Sequence, residues 1–148
     1  MSNKFEFSLE KLLEIRKNKE EEGKKLFTAS QSELQAEQNK LIQLQNNYDK
    51  YNGINNGETI LYQKIKKNYL VAVSKGIVET EKNVEKKSKE VDYRREQLRK
   101  RQIERKTVDI LREKKYSEFV SEENRKEQII NDEFALYAYM RNLRKEVK

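Results

Sequence analysis

Asn52-Gly53-Ile54-Asn55-Asn56-Gly57 is the stretch on which the fold turns. Asparagine and glycine accept the left-handed backbone that ends helices and closes turns, and no other part of the chain has such a cluster. On both sides of it the composition favours uninterrupted helix. There are no prolines and only four glycines; a proline in a helix interior costs roughly 3 kcal/mol, so their absence permits very long helices. A short break between two long helical stretches makes them antiparallel neighbours. The expected fold class is therefore all-α, a long antiparallel two-helix coiled coil (an α-hairpin) whose second helix is longer than the first. The expected organisation is one elongated domain over residues 1–148, with helix one at about 8–51, the loop at about 52–57 and helix two at about 58–145.

Working outward from the break, the first helix has a readable start. Ser8 is placed to cap it, with Phe7 and Leu12 at the spacing of a hydrophobic staple and Glu10 suiting the helix dipole. Leu13, Phe27, Leu34, Leu41 and Tyr48 then fall on one seven-residue series, interrupted by Glu20. A second series runs Leu9, Arg16, Gly23, Ser30, Glu37, Leu44, Tyr51. Alternating steps of three and four keep both on one stripe, and the polar centre of the second series predicts a thin, loosely packed middle around Gly23 and Ser30. In the second helix Ile77, Val84, Val91 and Leu98 hold one series. Beyond Leu98 the apolar residues Ile103, Val108, Ile110, Leu111, Tyr116, Phe119 and Val120 suggest a shifted phase, a stutter that unwinds the supercoil locally. At 1.5 Å per residue the arms come to about 65 Å and about 130 Å. Helix one would pair with about residues 58–102, so the rest of helix two must overhang, kink or find another partner, and its aromatic end (Phe134, Tyr137, Tyr139) reads either as a binding surface or as a chain end that frays alone.

Composition narrows the function. Charged residues make up 40% and hydrophobic ones 34%, with a mean hydropathy of -1.14. That balance suits long helices with a narrow apolar seam better than a globule with a pocket. Without cysteine or histidine there is no thiolate chemistry, and neither the commonest general base nor the commonest metal ligand is present. Two thin helices cannot enclose a carboxylate pair, and Gly53 and Gly57 do not lead into a phosphate-binding Lys-Ser/Thr pair. A protein that binds partners, with no enzymatic activity, no cofactor and no small-molecule substrate, is expected. The amino terminus lacks a signal-peptide core and no stretch has the ~20 apolar residues that span a bilayer, so a cytoplasmic protein without membrane insertion is the default. The net charge of +7 is compatible with an acidic partner, although acids and bases interleave along most of the chain. The densest basic run is Arg94, Arg95, Arg99, Lys100, Arg101, Arg105 and Lys106. It reads as docking on an acidic protein face, as phosphate binding or as a solvated helix face; no nucleic-acid fold signature accompanies it, which makes nucleic acid an unfavoured partner.

Three parts of the chain carry a family resemblance. The opening Phe5-x-Phe7-x-Leu9-x-x-Leu12-Leu13-x-x-Arg16 is followed by the single Asn/Gly break about fifty residues in. The tail then reads Leu111-Arg112-Glu113-Lys114-Lys115-Tyr116, Glu122-Glu123-x-x-x-Glu127-Gln128 and Asn131-Asp132-Glu133-Phe134-Ala135, ending near Arg141. In order, spacing and length this resembles the FliJ family, the small coiled-coil component of the bacterial flagellar type III export apparatus. The resemblance implies an antiparallel coiled coil similar to the stalk subunit of rotary ATPases. Its paired ends would insert in the hexameric flagellar export ATPase and promote assembly and activity; here those ends are Phe5, Phe7, Leu9, Leu12, Leu13 and Arg16 with Asp132 and Glu133. It also implies contact with the cytoplasmic domain of the export gate, escort of substrate chaperones, and a place at the cytoplasmic face of the inner membrane held through protein partners. The family's gate pattern is matched by Tyr69-Leu70-Val71-Ala72-Val73-Ser74-Lys75-Gly76-Ile77, with Tyr69, Val73, Gly76 and Ile77 as candidate contacts. Tyr69 departs from a plainer aromatic and Gly76 from the usual alanine; seam packing is the plain alternative for these residues. Outside the resemblance, a structural coiled-coil spacer or a basic nucleic-acid binder would account for the composition.

Overall fold

The computed structural model describes residues 3–147. Two helices, α1 (Glu10–Tyr51) and α2 (Ile60–Glu146), form an antiparallel helical hairpin in which the second is the longer. Contacts divide the chain into two compact units, one comprising Asn18–Gln102 and the other the residues up to Lys17 together with those from Ile103 onward.

In the Asn18–Gln102 unit the heptad reading of α1 is visible residue by residue. Glu20, Gly23, Phe27, Ser30, Leu34, Glu37, Leu41, Leu44, Tyr48 and Tyr51 are buried or half-buried, and every other α1 residue of this unit is exposed. Opposite them, α2 offers Leu70, Val73, Ile77, Thr80, Val84, Lys87, Val91, Arg94, Leu98 and Arg101. The register is constant. Tyr51 faces Tyr69, Leu44 lies on Gly76, Glu33 pairs with Lys87, and Arg101 donates to the Lys19 carbonyl. The seam is thin and mixed. Val73 and Val91 are as buried as Glu20, Ser30 and Thr80. Apolar burial contributes roughly 25 cal/mol per Å², so such a seam spreads stability along its length and concentrates little of it anywhere.

The break is not a tight reversal. Gly53 and Gly57 take positive φ angles of 98° and 90°, which end α1 and redirect the chain. The backbone from Asn52 to Thr59 then runs beside the first turns of α2, where Gly53 and Ile54 line a groove with Ile60, Gln63, Lys67 and Leu70. Thr59 caps α2: its Oγ1 accepts from the Tyr62 N–H at 3.2 Å, and its carbonyl accepts from Gln63 at 3.0 Å. Because the loop climbs alongside α2, α1 ends opposite Tyr69 and not opposite the first residue of its partner.

That offset carries the pairing further than residue 102, where it was expected to stop. In the other unit Arg16 donates to the Glu104 carbonyl at 2.9 Å, Arg112 binds Glu10 at 2.9 Å, and Phe5 packs on Tyr116 and Phe119. The expected stutter is also absent. Burial in α2 continues in unbroken phase through Arg101, Arg105, Val108, Arg112 and Phe119, whereas Ile103, Ile110 and Tyr116 are 51–55% exposed. Arginine stems are three methylenes long and fill the apolar positions while their guanidinium groups reach polar partners. The start of α1 differs as well. Glu10 N–H bonds the Phe7 carbonyl in a turn and Leu9 supplies the first helical carbonyl, so Ser8 lies in the turn and does not cap the helix.

Candidate partner-binding surfaces

At the chain-terminal unit, residues 3–9 are non-helical and lie along α2. Phe5 meets the Tyr116 ring edge-on at 5.2 Å and the Phe119 ring at 5.5 Å, with the Arg112 guanidinium 5.8 Å from its centroid. Phe7 and Leu12 are half-buried and Leu9 is 37% exposed, while Leu13 is among the most buried side chains of the protein at 2%. Of the six candidate contacts here, Phe5, Leu13 and Arg16 are thus already engaged within the chain. Beyond Glu123 every described α2 residue is exposed. Ile129, Leu136, Met140 and Leu143 form one apolar stripe of this stretch and Ile130, Phe134 and Tyr137 a second beside it, all 42–69% exposed. Glu133 lies between the two stripes and Asp132 on the far side of the first, both exposed. A helix apolar over so wide an arc has more greasy surface than one neighbour can cover.

The loop end of the Asn18–Gln102 unit carries the other cluster. Tyr51 and Tyr69 meet edge-to-face, centroids 5.4 Å apart, and with Tyr62, Ile65 and Lys66 they line a groove of about 320 Å3. Tyr69 remains 41% exposed, but Val73 is 6% exposed and sits in the seam; Gly76 and Ile77 are half-buried, with Leu44 over Gly76. Among the four gate candidates, Tyr69 is therefore the one that offers most of its side chain to solvent. Beside this groove Lys66 Nζ binds Glu58 Oε1 at 2.9 Å, both side chains largely buried. The hydrogen bond from Lys66, aided by those from Asn55, holds the Glu58 carboxyl below its ordinary range against the opposing effect of burial.

The arginine run is largely spent on internal pairing. Arg99 makes a two-pronged bond to Glu96, which lowers the Glu96 pKa through that hydrogen bond; Arg95 binds Asp92 and lies over the Phe27 ring. Arg105 binds Asp109 at 2.6 Å, Arg101 donates to the Lys19 carbonyl, and Arg94 lies in the seam near Tyr93. What spacing did not reveal are the pairs set by register: Tyr51 with Tyr69, and Lys87, which binds Glu33 at 2.8 Å with Glu90 at 3.8 Å. The Thr59 cap had a local signal, a threonine just ahead of an apolar run.

A sequence-family model described as the flagellar FliJ protein matches residues 5–144, nearly the whole chain. This chain belongs to the FliJ family. It is accordingly a component associated with flagellar protein export and flagellum biogenesis, and the helical hairpin fits that assignment. No curated protein and no solved structure matches it. No helix among the described residues is long and apolar enough to cross a membrane.

Proposed function

We propose that this FliJ-family chain is a stalk-like binding component of the flagellar export apparatus that inserts its chain-terminal end in the hexameric export ATPase and promotes ring assembly and hydrolysis. The observation that carries the reading is the apolar stretch of α2 beyond Glu123, bare on all described faces, in a chain that the family matches through residue 144. A ring surrounds what enters it, and a helix with two adjacent apolar stripes suits contact on several sides. Phe5 and its aromatic partners would anchor the base of the inserted end, and Asp132 and Glu133 would meet basic groups of the ring. The chain contributes contacts and no chemistry of its own. It acts at the cytoplasmic face of the inner membrane, where it also meets the cytoplasmic domain of the export gate through the Tyr69 region and exchanges substrate chaperones.

Adding purified protein to the cognate ATPase is expected to raise both its hydrolysis rate and its hexamer fraction. Phe134→Ser with Tyr137→Ser is expected to remove the effect while leaving helicity unchanged. Absence of any response to the natural chain overturns the reading. For the gate, Tyr69→Ala is expected to weaken binding at little cost in stability.

A further inference from the structure

We propose that the loop end of the hairpin docks directly on an anionic phospholipid surface, with Ile54, Ile60 and Leu61 entering the interface and lysines behind them meeting lipid phosphates. The three aliphatic side chains are 76%, 75% and 69% exposed. They gather at one extremity of the Asn18–Gln102 unit, because α2 starts ahead of the end of α1 and only the loop accompanies its first turns. A methyl group at Gly53 or Gly57 would meet nothing within 4 Å, so the apex is open around them.

Charge complementarity selects the occupant. Residues 38–78 hold six lysines against two acids, Asp49 and Glu58, and Glu58 is already bound by Lys66. Lys50, Lys64, Lys67 and Lys75 make no ion pair among the described residues, unlike the arginines of the middle of α2, which bind Asp92, Glu96 and Asp109. Lys64 and Lys67 follow Ile60 and Leu61 by three to seven residues, which at 1.5 Å per residue puts them about 5–10 Å back along the helix. That is the depth to which interfacial helices bury their apolar face below the headgroups. Tyr62, between Leu61 and Lys64, occupies the level where tyrosine collects at membrane interfaces. An acidic protein groove would satisfy the lysines but would not call for an open apolar apex ahead of them. Such docking needs no spanning helix.

The test is co-sedimentation of the full chain with vesicles of phosphatidylcholine alone and of phosphatidylcholine mixed with phosphatidylglycerol. Binding to the mixed vesicles only, weakening as salt rises, is expected. Ile54→Ser with Ile60→Ser and Leu61→Ser should lower the bound fraction at least about tenfold at unchanged helicity, and Lys64→Gln with Lys67→Gln should lower it as well. Phe134→Ser with Tyr137→Ser, at the other end of α2, should bind as the natural chain does. The proposal is overturned if the natural chain ignores the anionic vesicles, if the apex variant binds equally, or if the Phe134/Tyr137 variant loses as much. Stimulation of the ATPase by the apex variant should remain normal, which separates this proposal from the function above.

Discussion

Two glycines sit on the seam and respond differently to a methyl group. At Gly76 a Cβ would lie 3.6 Å from Leu44 Cδ1, an ordinary contact, in a helix interior where glycine costs about 1 kcal/mol relative to alanine. Gly76→Ala is therefore expected to stabilise the hairpin by about that amount, read as a rise of a few degrees in the melting temperature. At Gly23 the Cβ would come within 3.2 Å of Arg101 Cδ and 3.4 Å of Leu98 Cδ1. The Arg101 stem must give way, and its bond to the Lys19 carbonyl is loosened, so Gly23→Ala should gain clearly less in the same measurement. Glu58 makes a pH-dependent contribution. Its folded pKa lies below the ordinary glutamate value of 4.5, chiefly through the Lys66 hydrogen bond. The stabilisation is thus complete above pH 4.5 and is lost as the pH falls through the lower folded value. Protection of the amides at the start of α2, taken relative to the unstructured-chain exchange rate at each pH, should fall on acidification below 4.5 in the natural chain more than in Glu58→Gln.

For the elements, the telling feature is how far one heptad phase runs in α2. Val108 is 4% exposed and Ile110 is 55% exposed, although both are β-branched aliphatics two residues apart. If the phase holds through Arg101, Arg105 and Arg112, Val108→Ala removes packed atoms and should cost about 1–2 kcal/mol. Ile110→Ala should change stability by no more than ~0.5 kcal/mol. Denaturant midpoints of the two variants check this, and equal losses would restore the stutter. The same paired phase divides the arginine run: seam positions take the stems of Arg94, Arg101 and Arg105, and Asp92, Glu96 and Asp109 take the heads of Arg95, Arg99 and Arg105.

For the whole molecule, the surfaces left for partners are those the hairpin does not use. The stretch beyond Glu123 makes no contact that buries it, so ending the chain there should move the thermal midpoint by no more than a couple of degrees. The same truncation should abolish stimulation of the export ATPase. A large loss of stability on truncation would show instead that the stretch belongs to the folded core. Of the candidate contacts, Asp132, Glu133 and Tyr69 are exposed, Tyr69 at 41%, whereas Val73 and Leu13 are buried. Spacing could select these residues but not sort them, because a seam position and a docking position share the same apolar period.

Local chemistry was enough for the helices, the reversal between them and the buried stripe of α1. Missing prolines, the Asn52–Gly57 cluster and a seven-residue period act over a few neighbouring residues and can be read in order along the chain. Register was decided in three dimensions. The path of Asn52–Thr59 beside the first turns of α2 sets which residues face each other, and no periodicity encodes that offset. The role of the arginines was decided there too, since a side chain apolar along its stem and charged at its tip is assigned to core or surface only by the neighbour it meets.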